Sequence, residues 1–154
     1  MGKVTKLEQL EDFAFNQDVT VLNDVSTSDH KGSTMFANGQ AVIFLNSASI
    51  ANDAEKTCTL AEEIGHVQTG TSLECEAYLQ PEYARWLKRR NLILATRWAI
   101  QRLLPYEQIQ DALDEGNDEF EIAEELNVSV EFLRLAFEYY EGQGIKFRVQ
   151  DSSA

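Results

Sequence analysis

The sequence predicts an α+β fold, a small sheet followed by helices, and three features of the chain point there. Asn38-Gly39 lies between Thr34-Met35-Phe36 and Ala41-Val42-Ile43-Phe44-Leu45. An Asn-Gly pair between apolar, β-rich runs is the strongest short-range signal of a two-residue hairpin, because both turn residues must adopt positive φ. After Asn46 the apolar spacing becomes helical, with Ala54, Cys58, Ala61 and Ile64 recurring every three or four residues. From Tyr83 onward only helical spacing recurs, broken by Pro105. The chain has 154 residues, 44% of them hydrophobic, which suits one packed core and argues against disorder.

Val19–Leu22 reads as a first short strand, and the hairpin supplies two more. Ser47 to Asn52 offers several side chains able to cap a helix N-terminus, and Gly70 offers its stop. A loop containing Pro81 leads to a long helix from about Tyr83 to Leu104, with Trp86, Leu87, Leu94, Trp98 and Leu103 among its apolar positions. Beyond Pro105 the spacing predicts helices over 106–114, 119–126 and 130–141, after which Gly142 and Gly144 end the ordered region. The expected organisation is a first domain at 1–104, an acidic helical extension packed on it at 105–145, and a tail at 146–154.

Acidic residues number 26 against 13 basic ones, a net charge of −13. General nucleic-acid binding is therefore not expected, since each phosphate contact needs a Lys or Arg. The imbalance is local. Residues 82–104 carry six basic side chains (Arg85, Lys88, Arg89, Arg90, Arg97 and Arg102) against Glu82, whereas residues 105–141 carry twelve acids against Arg134. Such a stretch is either a solvated helical surface or a face that docks on a basic partner. Glu121 to Leu133 imitates a DNA-binding helix-turn-helix with Val128 at its turn. Its second helix would offer Glu131, Arg134, Glu138 and Glu141 to a nucleic acid, so packing or a protein contact is the better expectation. The chain has no apolar run of about 18 residues to cross a membrane. Residues 1–12 lack the apolar run of a secretory signal, and Cys58 and Cys75 are too few for a disulfide framework. A cytoplasmic protein with free thiols is expected.

The residues that carry chemistry are Leu60-Ala61-Glu62-Glu63-Ile64-Gly65-His66. A metallopeptidase helix reads His-Glu-x-x-His, because residues four apart share a helix face and can hold one Zn²⁺, while the Glu after the first ligand reaches metal-bound water. Here the order is Glu62-Glu63-x-x-His66, with a carboxylate at the first ligand position and the base and second ligand intact. Carboxylate oxygen also binds Zn²⁺.

The segments 56–70, 96–113 and 120–140, in this order, resemble the ImmA/IrrE family of metallopeptidases, and the resemblance runs from about Val19 to Tyr140. It implies a zincin-like fold: a small antiparallel sheet, an active-site helix and further helices. It also implies a phage or mobile-element protein in a bacterial cytoplasm that cleaves a helix-turn-helix repressor of the same element. On that resemblance Glu63 is the general base, His66 a zinc ligand, and Glu62 stands in for the family's first His. The third ligand is a Glu three residues before an Ala and six before an aromatic followed by Ala. Matching Ala95, Trp98 and Ala99 puts it at Leu92, which cannot ligate a metal.

Cys75, between Glu74 and Glu76, is a candidate replacement, since thiolate is an excellent zinc ligand. Cys58 lies two turns before His66 and is a weaker candidate, better read as a small buried hydrophobe. His30, in the polar run Ser28-Asp29-His30-Lys31, reads as a surface residue. Two function classes follow. One is an inhibitor with a degenerate site that binds a nucleic-acid-binding host protein through its basic surface, such as a Cas9-type effector or a helix-turn-helix repressor. The other is an active zinc endopeptidase that cuts such a repressor.

Overall fold

The computed structural model describes residues 2–23, 30–71 and 80–149. In these residues the chain forms α1 (Lys6–Asn16), β1 (Thr20–Leu22), β2 (Gly32–Ala37), β3 (Gln40–Leu45), α2 (Asp53–Thr69), α3 (Pro81–Leu103), α4 (Tyr106–Asp114), α5 (Glu119–Glu125) and α6 (Val130–Gly142). The α+β class follows from these elements.

The hairpin forms as its sequence dictates. Strands β2 and β3 pair antiparallel, Ala37 opposite Gln40, across Asn38 and Gly39, whose φ values are 55° and 79°. Strand β3 lies in the middle of the sheet and buries Ala41, Ile43 and Leu45 on one face. The sheet departs from the expected antiparallel one, because β1 pairs parallel to β3, with Val21 opposite Ile43. The sheet is therefore mixed. The nine residues between β1 and β2 need bridge only two strand spacings, about 10 Å, at one end of the sheet. That reach lets β1 take the free edge of β3 in the parallel sense.

Helix α1 has no counterpart in the sequence reading. It is nucleated by a capping box: Glu8 N–H donates to Thr5 Oγ1 at 3.1 Å, and Thr5 N–H donates to Glu8 Oε2 at 2.8 Å. Its buried Leu10 and Ala14 face the core, and the Lys6 ammonium donates to the Leu103 carbonyl. Helix α2 starts where Asn52 Oδ1 accepts from Glu55 N–H at 2.9 Å and stops at Gly70, which takes a left-handed φ of 66°.

Helix α2 packs on the sheet, α1 and α3. Its approach to α3 depends on Gly65, where an added Cβ would sit 2.5 Å from the Ala95 carbonyl oxygen. The core is continuous from Ile43 of the sheet through Leu60 and Ile100 into Ile109, Ile122 and Leu133 of the last helices. The packed chain continues beyond Gly144. Phe147 lies 5.0 Å from both the Tyr106 and Phe137 rings, and buried Gln110 accepts from Arg148 N–H and donates to its carbonyl at 2.9 and 2.8 Å. Residues 145–148 are thus docked on α4 and α6, because an aromatic and a buried amide hold them there.

Helices α5 and α6 do make a helix-turn-helix, turning at Asn127 in a left-handed conformation with Val128 buried. The outer face of α6 presents Glu131, Glu138 and Glu141, and its Arg134 is held by Glu119 through two hydrogen bonds of 2.6 and 3.1 Å. No helix of the described residues is long and apolar enough to cross a membrane.

Candidate functional site

Helix α2 turns Glu63 and His66 towards a cavity of about 250 Å³, closed by Ser33 and Thr34 of β2 on one side and by Lys88, Asn91 and Leu92 of α3 on the other. Strand β2 can lie this close because residue 32 is glycine. A Cβ there would sit 2.8 Å from Thr59 Cγ2 and 3.0 Å from Glu63 Cγ. The contact brings Thr34 Oγ1 to donate to Glu63 Oε2 at 2.6 Å, fixing one carboxylate oxygen and leaving the other to the cavity.

A hydroxyl relay sets the tautomer of His66. Thr69 Oγ1 donates to the Gly65 carbonyl at 2.7 Å and has no second proton, so Thr71 Oγ1 must be the donor in the 2.7 Å contact between the two threonines. Thr71 can then only accept from His66 Nδ1, 3.0 Å away. The Nε2 atom is left as a lone-pair donor to the cavity, the form in which an imidazole ligates metal or accepts a hydrogen bond. His30, read from sequence as a surface residue, is exposed and also lines the cavity.

The other expected residues are placed differently. Glu62 lines a neighbouring groove of about 530 Å³ between α3 and α6, not the cavity of Glu63 and His66, and Leu92 borders both. Loss of hydration pushes the Glu62 carboxyl up to about 7, the adjacent Glu63 charge adds to this, and Lys31 opposes it. Cys58 is buried in the core, where its Sγ accepts from Ser129 Oγ at 4.0 Å. Burial raises its thiol to about 11, so it is neutral near pH 7. Cys75 lies outside the described residues.

Sequence reasoning missed Asn91. It is 4% exposed, lines the cavity, and has no hydrogen-bond partner among the described residues. Its signal was a polar residue on the same α3 stripe as buried Ala95 and Ala99. An unsatisfied buried amide costs about 1–3 kcal/mol, so Asn91→Leu is expected to leave stability unchanged or raise it by about 1 kcal/mol in urea unfolding. A loss of more than about 1 kcal/mol would mean that the amide is bonded after all.

Comparison with family profiles matches residues 16–138 to the IrrE N-terminal-like domain, a peptidase family. The chain belongs to the ImmA/IrrE family. The match spans the sheet, α2, α3 and most of α6, so it covers both the cavity and the acidic helices. Neither the curated proteins nor the solved structures hold a significant match to the chain. This ImmA/IrrE member thus has a metallopeptidase-like lineage, yet no three His, Cys, Asp or Glu side chains among its described residues are grouped to hold a metal ion. Among the described residues Glu62 and His66 are two donors, one short of the three protein ligands of a catalytic zinc site.

Proposed function

We propose that this ImmA/IrrE protein acts by binding and not by hydrolysis, inhibiting a nucleic-acid-binding protein through that protein's basic surface. The observation that carries the reading is the acidic surface of α4 to α6. Of the twelve acids in residues 105–141, all but half-buried Glu119 are exposed, and the one cation among them, Arg134, is engaged with Glu119. A dense field of one sign attracts the channel or groove that another protein uses for nucleic acid. Leucine at the third-ligand position supports the same reading from the side of chemistry. A helix-turn-helix repressor encoded by the same element and a Cas9-type effector are the two partner types that fit.

Reversing Glu115, Glu121, Glu124 and Glu125 to Lys is expected to weaken binding to such a partner by at least about tenfold, mainly through a slower on-rate. Binding by the unaltered protein should also weaken as salt is raised, since attraction between exposed charges is screened beyond about 8 Å at physiological ionic strength. Surface plasmon resonance over a salt series measures both. Undiminished binding by the reversed variant would reject the acidic face as the contact.

A second reading, zinc endopeptidase, is favoured by the fixed Glu63 carboxylate and by the free Nε2 of His66. Zinc belongs to that reading. It would be held by Glu62 and His66 with Cys75 completing the set, a donor beyond the described residues.

A further inference from the structure

We infer that the groove between α3 and α6 receives a second copy of this chain, forming a two-fold dimer. Leu92 and Ile93 of α3 and Leu135 of α6 are 50%, 46% and 42% exposed, and Tyr139 and Ile100 complete an apolar floor beneath them. Trp86, 58% exposed, extends the patch along α3 beside Arg89 and Arg90. Within residues 81–90 no side chain is buried, so this half of α3 stands out from the core with its aromatic and cationic side chains uncovered. Contiguous apolar surface of this kind on a protein of net charge −13 marks an interface, and Trp, Tyr and Arg are the residues that dominate binding energy at interface centres.

The rims identify the occupant. The α3 rim is basic, with Arg89, Arg90 and Arg97, and the α6 rim is acidic, with Glu138 in the groove and exposed Glu141 three residues on. An isologous contact requires a surface that complements itself after a two-fold rotation. Rotating one copy lays its α6 rim on the other's α3 rim, which sets Arg97 against Glu138 twice and apolar floor against apolar floor. A uniformly basic or acidic groove could not do this.

Salt dependence separates this contact from binding through the acidic face. Two copies of charge −13 repel at long range, and this repulsion is screened first as salt rises. The apolar floor is not weakened by salt, and paired charges covered by the interface are screened much less. Dimerisation should therefore tighten with salt, while docking of a basic partner on the acidic face should weaken.

Sedimentation equilibrium of the full chain at low and high salt tests the inference. The expected result is a mass of twice 17.4 kDa, favoured at high salt. Ile93→Glu and Leu135→Glu should each raise the dissociation constant by at least about tenfold. Arg97→Glu and Glu138→Arg should each weaken the dimer, and the two together should restore it. Circular dichroism confirms that each variant is folded. A monomer at every concentration and salt overturns the inference, as does a dimer that ignores both apolar variants or a charge swap that fails to rescue. A monomer whose Ile93→Glu variant loses a basic partner would assign the groove to that partner, overturning the dimer while leaving the proposed function standing.

Discussion

Gly65→Ala is expected to be among the most damaging single changes in the chain, lowering stability by about 3 kcal/mol or more. The added methyl would meet the Ala95 carbonyl oxygen at 2.5 Å, well inside contact distance, and the obstacle is backbone that cannot swing aside. Helices α2 and α3 must separate to accept it. Their separation would strip contacts from Ile64, Ala99 and Ile100, all buried in the shared core. It would also widen the cavity between Glu63 and Asn91, so stability and site geometry would fail together. Gly70→Ala is the control: nothing lies within 4 Å of its Cβ, and only the left-handed φ of 66° resists it. That substitution should cost about 1 kcal/mol. Urea midpoints for the two variants, at equal m-value, give the comparison. A Gly65→Ala protein as stable as the unaltered one would refute the close packing of α2 on α3.

The second large effect is a loss of stability with rising pH, assigned to Glu62. Its carboxyl has an ordinary value of 4.5 and is pushed up to about 7 in the folded chain. Between those values the native state keeps a proton that the unfolded state releases, so stability falls as pH rises through the window and stays low above it. The shift corresponds to about 2–3 kcal/mol, an order-of-magnitude figure for a group that is mostly buried. Glu62→Gln removes the titration and keeps the shape. In the presence of chelator, the variant should match the unaltered protein near the bottom of the window and exceed it above pH 7. Taking the difference between the two proteins cancels the repulsion among the many surface acids, which also grows with pH. Parallel pH curves would show that Glu62 is hydrated and ionises normally.

Much of this architecture is legible in the sequence, for identifiable reasons. Asn38-Gly39 dictates its own turn, Asn52 and Gly70 mark the ends of α2, and Pro105 separates α3 from α4. Local chemistry fixes each of these. The parallel pairing of β1 is not local, because its direction depends on where the chain returns after a connection of nine residues. Helix α1 was detectable in the Thr5-x-x-Glu8 capping box, but Leu7, Leu10 and Phe13 are interleaved with acids that weaken the apolar pattern. The docking of Phe147 is a tertiary event with no local precursor.

The site divides in the same way. Glu63 and His66 are legible from spacing, since three residues bring side chains to one side of a helix. Spacing four apart also places Glu62 near His66, but it cannot reveal that Glu62 lines the groove between α3 and α6 while His66 lines the cavity beside β2. Asn91 belongs to the same limit. Its burial depends on how tightly α3 approaches α2, and that approach is set by a glycine on the other helix.

The proposal that this family member binds without cutting is tested most directly by the intact mass of its partner. A purified partner, first the helix-turn-helix repressor of the same element, is incubated with the protein or with Glu63→Gln, in zinc-containing buffer, and weighed by mass spectrometry. Glu63 would be the base that takes the proton from water and returns it to the leaving amine in a peptidase, so the substitution would abolish hydrolysis while keeping the fold. The expected result is an intact partner with both proteins, and equal affinity for it. Fragments produced by the unaltered protein but not by Glu63→Gln would contradict it and establish the peptidase.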